Sequence, residues 1–356
     1  MKVRSPRNRP IAAMGVLVVM ALLAVGGSLL LGDEGVPLRV ELGSRAVSKV
    51  PFLIAADQGL YAKYGLDVDL RMPNADFEGG LGDPPLVRRA LDRVLGNRWR
   101  AEVLLNGATP EIVGMVNNLD HPRSLLLAST DCTVRSHIVA RPGIENLDDL
   151  KGKRIGVTGL MENITAYVAL ELANRMGWDP VHDVSIIRNG ADVSRLLDGS
   201  VDAIVARERD YAEMQGGDFS FLLDTRSWGD LPIGGNSVRV ASEWYEDPAN
   251  VDKMRRFLMA LVEATALFHE DRDLAIAVMQ RWNAVPEGYA EIMYDQAAIP
   301  EVPYPCYEGI RRTMEFYDSH EMRRYVPEDF FDDGLLLELE REGFIQRTYD
   351  EVRASR

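Results

Sequence analysis

Residues 50–70 read VPFLIAADQGLYAKYGLDVDL, and no other stretch restricts the fold as much. Pro51 opens a short helical segment with Phe52, Tyr61 and Tyr64 on an aromatic face. Gly65 follows, the usual left-handed stop after a last helical turn. Residues 66–70 then alternate Leu, Asp, Val, Asp, Leu, the period of two expected of a strand. With the apolar run 38–42 before it, this is strand, helix and strand in about 30 residues, a βαβ unit of the kind that builds parallel sheets.

The alternation continues along the chain. Helices are expected at 84–95, 110–117, 165–176 and 193–197, and strands at 101–105, 124–128, 137–140, 155–157, 184–187, 203–205 and 238–241. Asp247 followed by Pro248 offers a helix cap and a first-turn proline. Behind it Met254, Phe257, Leu258, Leu261, Val262 and Phe268 recur at helical spacing. The 356 residues suit two α/β domains with sizeable cores.

The net charge is -15, and the first 32 residues hide part of the acidity. They hold four of the 40 basic residues and no acid, so the remainder sets 36 basic residues against 55 acidic, a balance of -19. So acidic a surface disfavours nucleic acid and anionic lipid as partners, though a cleft can still hold local positive potential. Residues 11–31 carry no charge, follow Lys2, Arg4, Arg7 and Arg9, and precede Asp33 and Glu34. At ~1.5 Å per residue such a run can span a bilayer core, and the basic flank keeps the N-terminus inside while the rest is exported. Segment 1–35 is therefore a signal peptide or a membrane anchor, with both alternatives open. The globular part falls on the periplasmic or extracellular face of the cytoplasmic membrane. Cys132 and Cys306 are the two cysteines; they pair only if the fold brings them within bonding distance.

Several segments resemble one family. "Phe-x-x-Ala-x-x-x-Gly-Leu-Tyr-x-x-Tyr-Gly-Leu-x-Val" from Phe52, "Leu-x-Asp-Leu-Lys-Gly-Lys-Arg-Ile-Gly-Val" from Leu147, "Leu-Leu-Asp-Gly-Ser-Val-Asp-Ala-Ile-Val-Ala" from Leu196 and the closing "Pro-Glu-Asp-Phe-Phe-Asp-Asp-Gly-Leu-Leu-Leu-Glu-Leu-Glu-Arg-Glu-Gly" from Pro327 are similar to segments of ABC-transporter substrate-binding proteins. These are the proteins for nitrate, sulfonates, taurine and thiamine-type pyrimidines. The resemblance implies an α/β fold of the type II periplasmic-binding-protein (Venus flytrap) class. Residues 36–130 with 236–356 would form lobe 1 and residues 131–235 lobe 2. The chain would cross near 128–137 and near 232–241, where Gly234 and Gly235 would absorb hinge rotation.

In such sheets ligands sit beyond the C-terminal strand ends, where loops run into helix N-termini that favour negative charge. The loop before the Phe52 helix offers Ser44 and Arg45, with Lys49 as its second cation. Thr109 before Pro110 is a ligand contact or simply a cap. By the resemblance, Asn163 and Thr165 belong to the family's ligand-holding turn, where Glu162 is a departure. Arg207 with Glu208 offers a fork for a carboxylate, sulfonate or phosphate, or a surface ion pair. If the implied topology holds, Thr130 and Asp131 face Trp228 and Asn236, with Trp228 stacking on a planar ligand or packing in the core.

Enzyme motifs are missing. There is no Gly-x-Ser-x-Gly, no His-Glu-x-x-His, no P-loop and no Gly-rich dinucleotide turn. No metal-ligand spacing joins the five His, so neither cofactor nor metal is expected. The resemblance implies a monomeric solute-binding component of an ABC importer, closing on a small ligand and docking on permease subunits. Arg45 and Arg207 favour an anionic end, whereas Glu111, Glu162, Glu208 and Asp131 favour an amine or ring N–H. The alternatives are a pyrimidine-synthase-like enzyme on the same fold, which would need a cysteine cluster that this chain lacks, and a ligand-sensing module for a membrane partner.

Overall fold

The computed structural model describes residues 35–71, 99–118, 123–159, 163–283, 285–286 and 288–356. The apolar segment 11–31, the helix expected at 84–95 and Glu162 lie outside the described residues. Two five-stranded sheets organise the molecule. The first contains β1 (Val36–Leu42), β2 (Leu66–Arg71), β3 (Val103–Gly107), β4 (Ser124–Ser129) and β10 (Asn236–Ala241), in the order β2-β1-β3-β10-β4. The second contains β5 (His137–Ala140), β6 (Arg154–Val157), β7 (Ser185–Arg188), β8 (Ala203–Ala206) and β9 (Ser220–Asp224), in the order β7-β6-β8-β5-β9.

Both sheets repeat one plan. Three parallel strands lie side by side, and an antiparallel strand, β10 or β5, separates them from the edge strand. That antiparallel strand arrives from the other sheet, so the chain crosses twice. The first crossing, 130–136, overlaps the expected one. The second occupies 225–235, earlier than expected, because β10 already begins at Asn236. The two crossings bond to each other as a ribbon: the Thr130 N–H donates to Asn236 O (3.0 Å), Ile233 N–H to Cys132 O (3.1 Å) and Val134 N–H to Leu231 O (3.0 Å).

Gly234 and Gly235 serve this ribbon by their size. Neither has a positive φ; a Cβ on Gly235 would collide with the backbone carbonyl of Asp131. Cys132 and Cys306 are joined in a disulfide with Cα atoms 5.4 Å apart. It ties the first crossing to the start of a C-terminal helix.

The βαβ unit stands, with one correction. Its helix is two pieces, α1 (Val50–Asp57) and α2 (Leu60–Lys63), broken at Gly59 with φ 67°. Phe52 and Tyr61 stack on Phe257 with centroids 6.1 and 5.4 Å apart. Phe257 lies in the 23-residue helix Pro248–Glu270, which Asp247 caps by accepting from the Ala249 N–H. The remaining helices that matter are α3 (Ala108–Asn117), α4 (Ile164–Arg175) and α5 (Glu208–Met214), followed by α6 (Tyr289–Gln296) and α7 (Tyr307–Phe316).

The last two helices bridge the sheets. α6 packs on α5, and Gln296 bonds to His137 of β5 at 3.0 Å. In α7, Arg312 Nε donates to the Tyr167 hydroxyl (3.3 Å) and Phe316 meets the Tyr167 ring edge-on at 5.0 Å. Among the described residues no helix is long and apolar enough to cross a membrane.

A candidate ligand cleft between two sheets

A cleft of about 240 Å³ opens between the sheets at the C-terminal ends of β1, β3, β6 and β8. Its first wall is Ser44, Ser48, Lys49, Asn106 and Thr109. Its floor is the paired crossings, with Asp131, Gly234, Gly235 and Asn236. Asn163, Ile164 and Arg207 form the opposite wall. Six of the expected residues therefore meet here: Ser44, Thr109, Asp131, Asn163, Arg207 and Asn236.

The other six do not line it. Phe52 sits fully in the core under Phe257, because the first turn of α1 directs it away from the loop. Thr130 is buried and donates to Ser48 O at 2.6 Å. Thr165 turns back to accept from the Thr158 N–H at 2.8 Å. Glu208 is buried against Arg207. Trp228 lies under Arg175, whose guanidinium is 4.8 Å from its ring. Arg45 is half-buried beside the cleft rather than in its wall. Glu111, expected to favour an amine, is instead ion-paired with Arg239.

The helix starts differ in what they leave for a ligand. In α3 the first amides are already spent: Ala108 N–H donates to Gly235 O (2.7 Å) and Thr109 N–H to Gly234 O (3.0 Å). The Thr109 hydroxyl is 2.8 Å from that of Thr313 in α7. Thr109 is thus mainly a brace between the cleft and α7. At α4, Asn163 caps the helix by accepting from Thr165 N–H at 3.3 Å. At α5, Arg207 precedes the first residue and forks onto Glu208, with Nη2 2.8 Å from Oε1 and Nε 3.3 Å from Oε2. The same Nη2 is 3.5 Å from Asp131 Oδ2.

Lys49, noted in the sequence only as the second cation of the loop before the Phe52 helix, turns out to line the cleft. It is only 2% exposed and donates to Leu105 O. Burial pushes its ammonium well below the ordinary value; Asp131 opposes this and Arg207 adds to it. The one hint in the sequence was a lysine inside the apolar run Val47 to Phe52. Burial likewise pushes the Asp131 carboxyl up to about 6, against the pull of Arg207 and with the push of Glu208. Asp210, which accepts from the Arg207 backbone N–H (3.1 Å), is also pushed up to about 6 by burial. Burial works against the Arg207 charge, but Glu208 and Asp131 outweigh it and hold its pKa above the ordinary value. The cleft thus combines buried charges of both signs with neutral amide and hydroxyl groups, which suits binding of a small polar molecule. Among the described residues no group of three His, Cys, Asp or Glu is placed to hold a metal ion.

Residues 131–275 match the sequence model of the family described as NMT1/THI5 like. No curated protein sequence matches. Among solved structures, the chain is similar to the alkanesulfonate-binding protein SsuA from Xanthomonas axonopodis pv. citri bound to MOPS. The TM-score is 0.60 and the identity 16%, over 83% of this chain and 96% of that one. It is also similar to the periplasmic nitrate-binding protein NrtA from Synechocystis PCC 6803, with TM-score 0.64 and 15% identity, over 87% and 89% of the two chains. The desulfurization enzyme DSZB shares the architecture at TM-score 0.56 and 16% identity, over 86% and 99%. The chain therefore has the two-lobed α/β fold of the periplasmic binding proteins, and its residues 131–275 are similar to the NMT1/THI5-like family.

Proposed function

We propose that this chain is the extracytoplasmic solute-binding component of an ABC importer. The carrying observation is the cleft, whose polar side chains come from both sheets and from the crossings between them. A solute touching both walls stabilises the closed arrangement in proportion to its differential affinity for that state. Lobe 1 is 36–130 with 236–356 and lobe 2 is 131–235, with α6 and α7 as the part of lobe 1 that rests on lobe 2. The closed monomer docks on permease subunits. The disulfide supports an oxidising compartment, in keeping with an exported chain held by, or released from, its segment 1–35. Both cysteines are spent in that disulfide, which speaks against an iron-binding cysteine cluster and hence against the pyrimidine-synthase alternative.

The cleft is smaller than the roughly 300–1,000 Å³ pockets of drug-sized ligands, which points to a small metabolite. Thermal unfolding in a panel of sulfonates, nitrate, amino acids, aromatic acids and pyrimidines tests this. A ligand at about 100 times its dissociation constant adds ~2.7 kcal/mol of stability. The gain should vanish when Arg207 and Asn163 are both replaced by Ala. A panel that gives no gain at all, or a gain that survives the double substitution, rules the reading out.

A further inference from the structure

The charges in the cleft already cancel. Lys49 and Arg207 of the walls stand against Asp131 of the floor and Glu208, which is buried behind Arg207. Arg207 has committed its fork to Glu208, so its charge is not waiting for a ligand anion. A bare anion would add negative charge that nothing in the cleft balances, and burying unbalanced charge is costly.

The acceptors are in the opposite condition. Asp131 is 7% exposed, and the 3.5 Å to Arg207 Nη2 exceeds the ordinary N–H···O range of about 2.7–3.2 Å. Asn236 is 5% exposed, and its Oδ1 has no hydrogen-bond partner. Its orientation follows from the network. The Thr130 hydroxyl gives its proton to Ser48 O at 2.6 Å, so at 2.6 Å from Asn236 it must accept. The amide nitrogen therefore faces Thr130, and also Ser48 O at 3.4 Å. A flipped amide would set its oxygen against the Ser48 carbonyl. Oδ1 is thus the end left over, on a residue that lines the cleft.

We propose that Asp131 and Asn236 set the specificity of this cleft, which rejects bare anions and takes a small polar solute bringing a proton-donating nitrogen, an ammonium or a ring N–H. This rests on the reading of the chain as a solute-binding protein. The solute's N–H group gives Asp131 a closer donor than Arg207 at 3.5 Å and supplies the hydrogen bond that Asn236 Oδ1 lacks, and any anionic end of an ammonium-bearing solute is then balanced within the ligand itself. Burial holds the Asp131 carboxyl up at about 6 despite the pull of Arg207 and Lys49.

Calorimetric titration of the purified chain at pH 7.5 tests the idea with matched probes: 2-aminoethanesulfonate against ethanesulfonate, 3-aminopropanoate against propanoate, and cytosine against nitrate. The donor-bearing member of a responding pair should bind at least tenfold tighter than its partner. Asp131→Asn, checked for an unchanged fold by its circular dichroism, should narrow that ratio to less than threefold. Ethanesulfonate, propanoate or nitrate binding as tightly as its donor-bearing counterpart would overturn the inference while leaving the solute-binding reading intact, and so would a preference that Asp131→Asn leaves in place. Silence across these probes and the wider panel would remove both.

Discussion

The two walls of the cleft are built differently. The first-sheet wall grows out of the larger core, where Phe52 and Tyr61 stack on Phe257. Its polar groups are largely spent on one another: Thr130 on Ser48, Asn236 on Thr130, and the first amides of α3 on Gly234 and Gly235. The second-sheet wall is thinner. It presents Asn163 and Arg207 from the first turns of α4 and α5, and Arg207 holds its charge against the adjacent Glu208. One wall is a fixed template, and the other carries a guanidinium already neutralised by its neighbour Glu208. Asp131 lies between them on a crossing and belongs electrically to both.

Substitutions can separate these roles. The largest effect is expected at Phe52, which is fully buried and remote from the solute. Phe52→Ala should cost ~3–5 kcal/mol of stability, measured by denaturant unfolding, while the affinity of the remaining folded protein stays as it was. A matching loss of affinity would show that the Phe52 core also sets the geometry of the ligand contacts.

Next is the pH dependence of stability. Asp131 titrates near 6 in the folded protein against an ordinary 3.8, and Asp210 behaves alike. Both are raised, so between about pH 4 and pH 6 the folded chain binds more protons than the unfolded one. Stability should therefore fall as pH rises through that window and level off above it. At about 1.4 kcal/mol per unit, Asp131 accounts for on the order of 3 kcal/mol. The groups facing it are Lys49 from the first wall and Arg207 and Glu208 from the second. Asp131→Asn should remove its share of the slope and leave that of Asp210; an unchanged slope would mean that Asp131 is not the buried acid between the walls.

The smallest effect is expected at Trp228, which stacks under Arg175 away from the cleft. Trp228→Ala should cost about 0.5–1 kcal/mol of cation–π contact plus some packing and leave ligand binding alone. A tenfold loss of affinity would put the ring back among the ligand contacts.

The strands were readable because buried runs such as His137 to Ala140 are short, apolar and bounded by turn residues. The long helix was readable from Asp247, Pro248 and its apolar spacing. The break at Gly59 was not, because the apolar pattern runs on through it from Leu53 to Tyr61. β9 was passed over because its apolar residues are only partly covered, with Phe221 still 42% exposed. Within the cleft, strand-end logic found Ser44 and Arg207, and the family resemblance found Asn163. Neither could separate Phe52 and Thr165, which turn inward, from Lys49, which enters the wall. That distinction depends on which way a first-turn side chain points once Leu105 and the crossings are in place. The neutral balance of charges was likewise invisible, because it comes from residues as far apart in sequence as Lys49 and Glu208.

The most direct test is calorimetric titration of the strongest responder from the ligand panel into the wild type and into Ser44→Trp. Ser44 is exposed at the cleft mouth, so a tryptophan there fills the cleft with little demand on the core. The prediction is an unchanged unfolding midpoint without ligand and a loss of binding of at least 100-fold. Affinity equal to that of the wild type, with the fold intact, would contradict the claim that the solute is held between the two sheets.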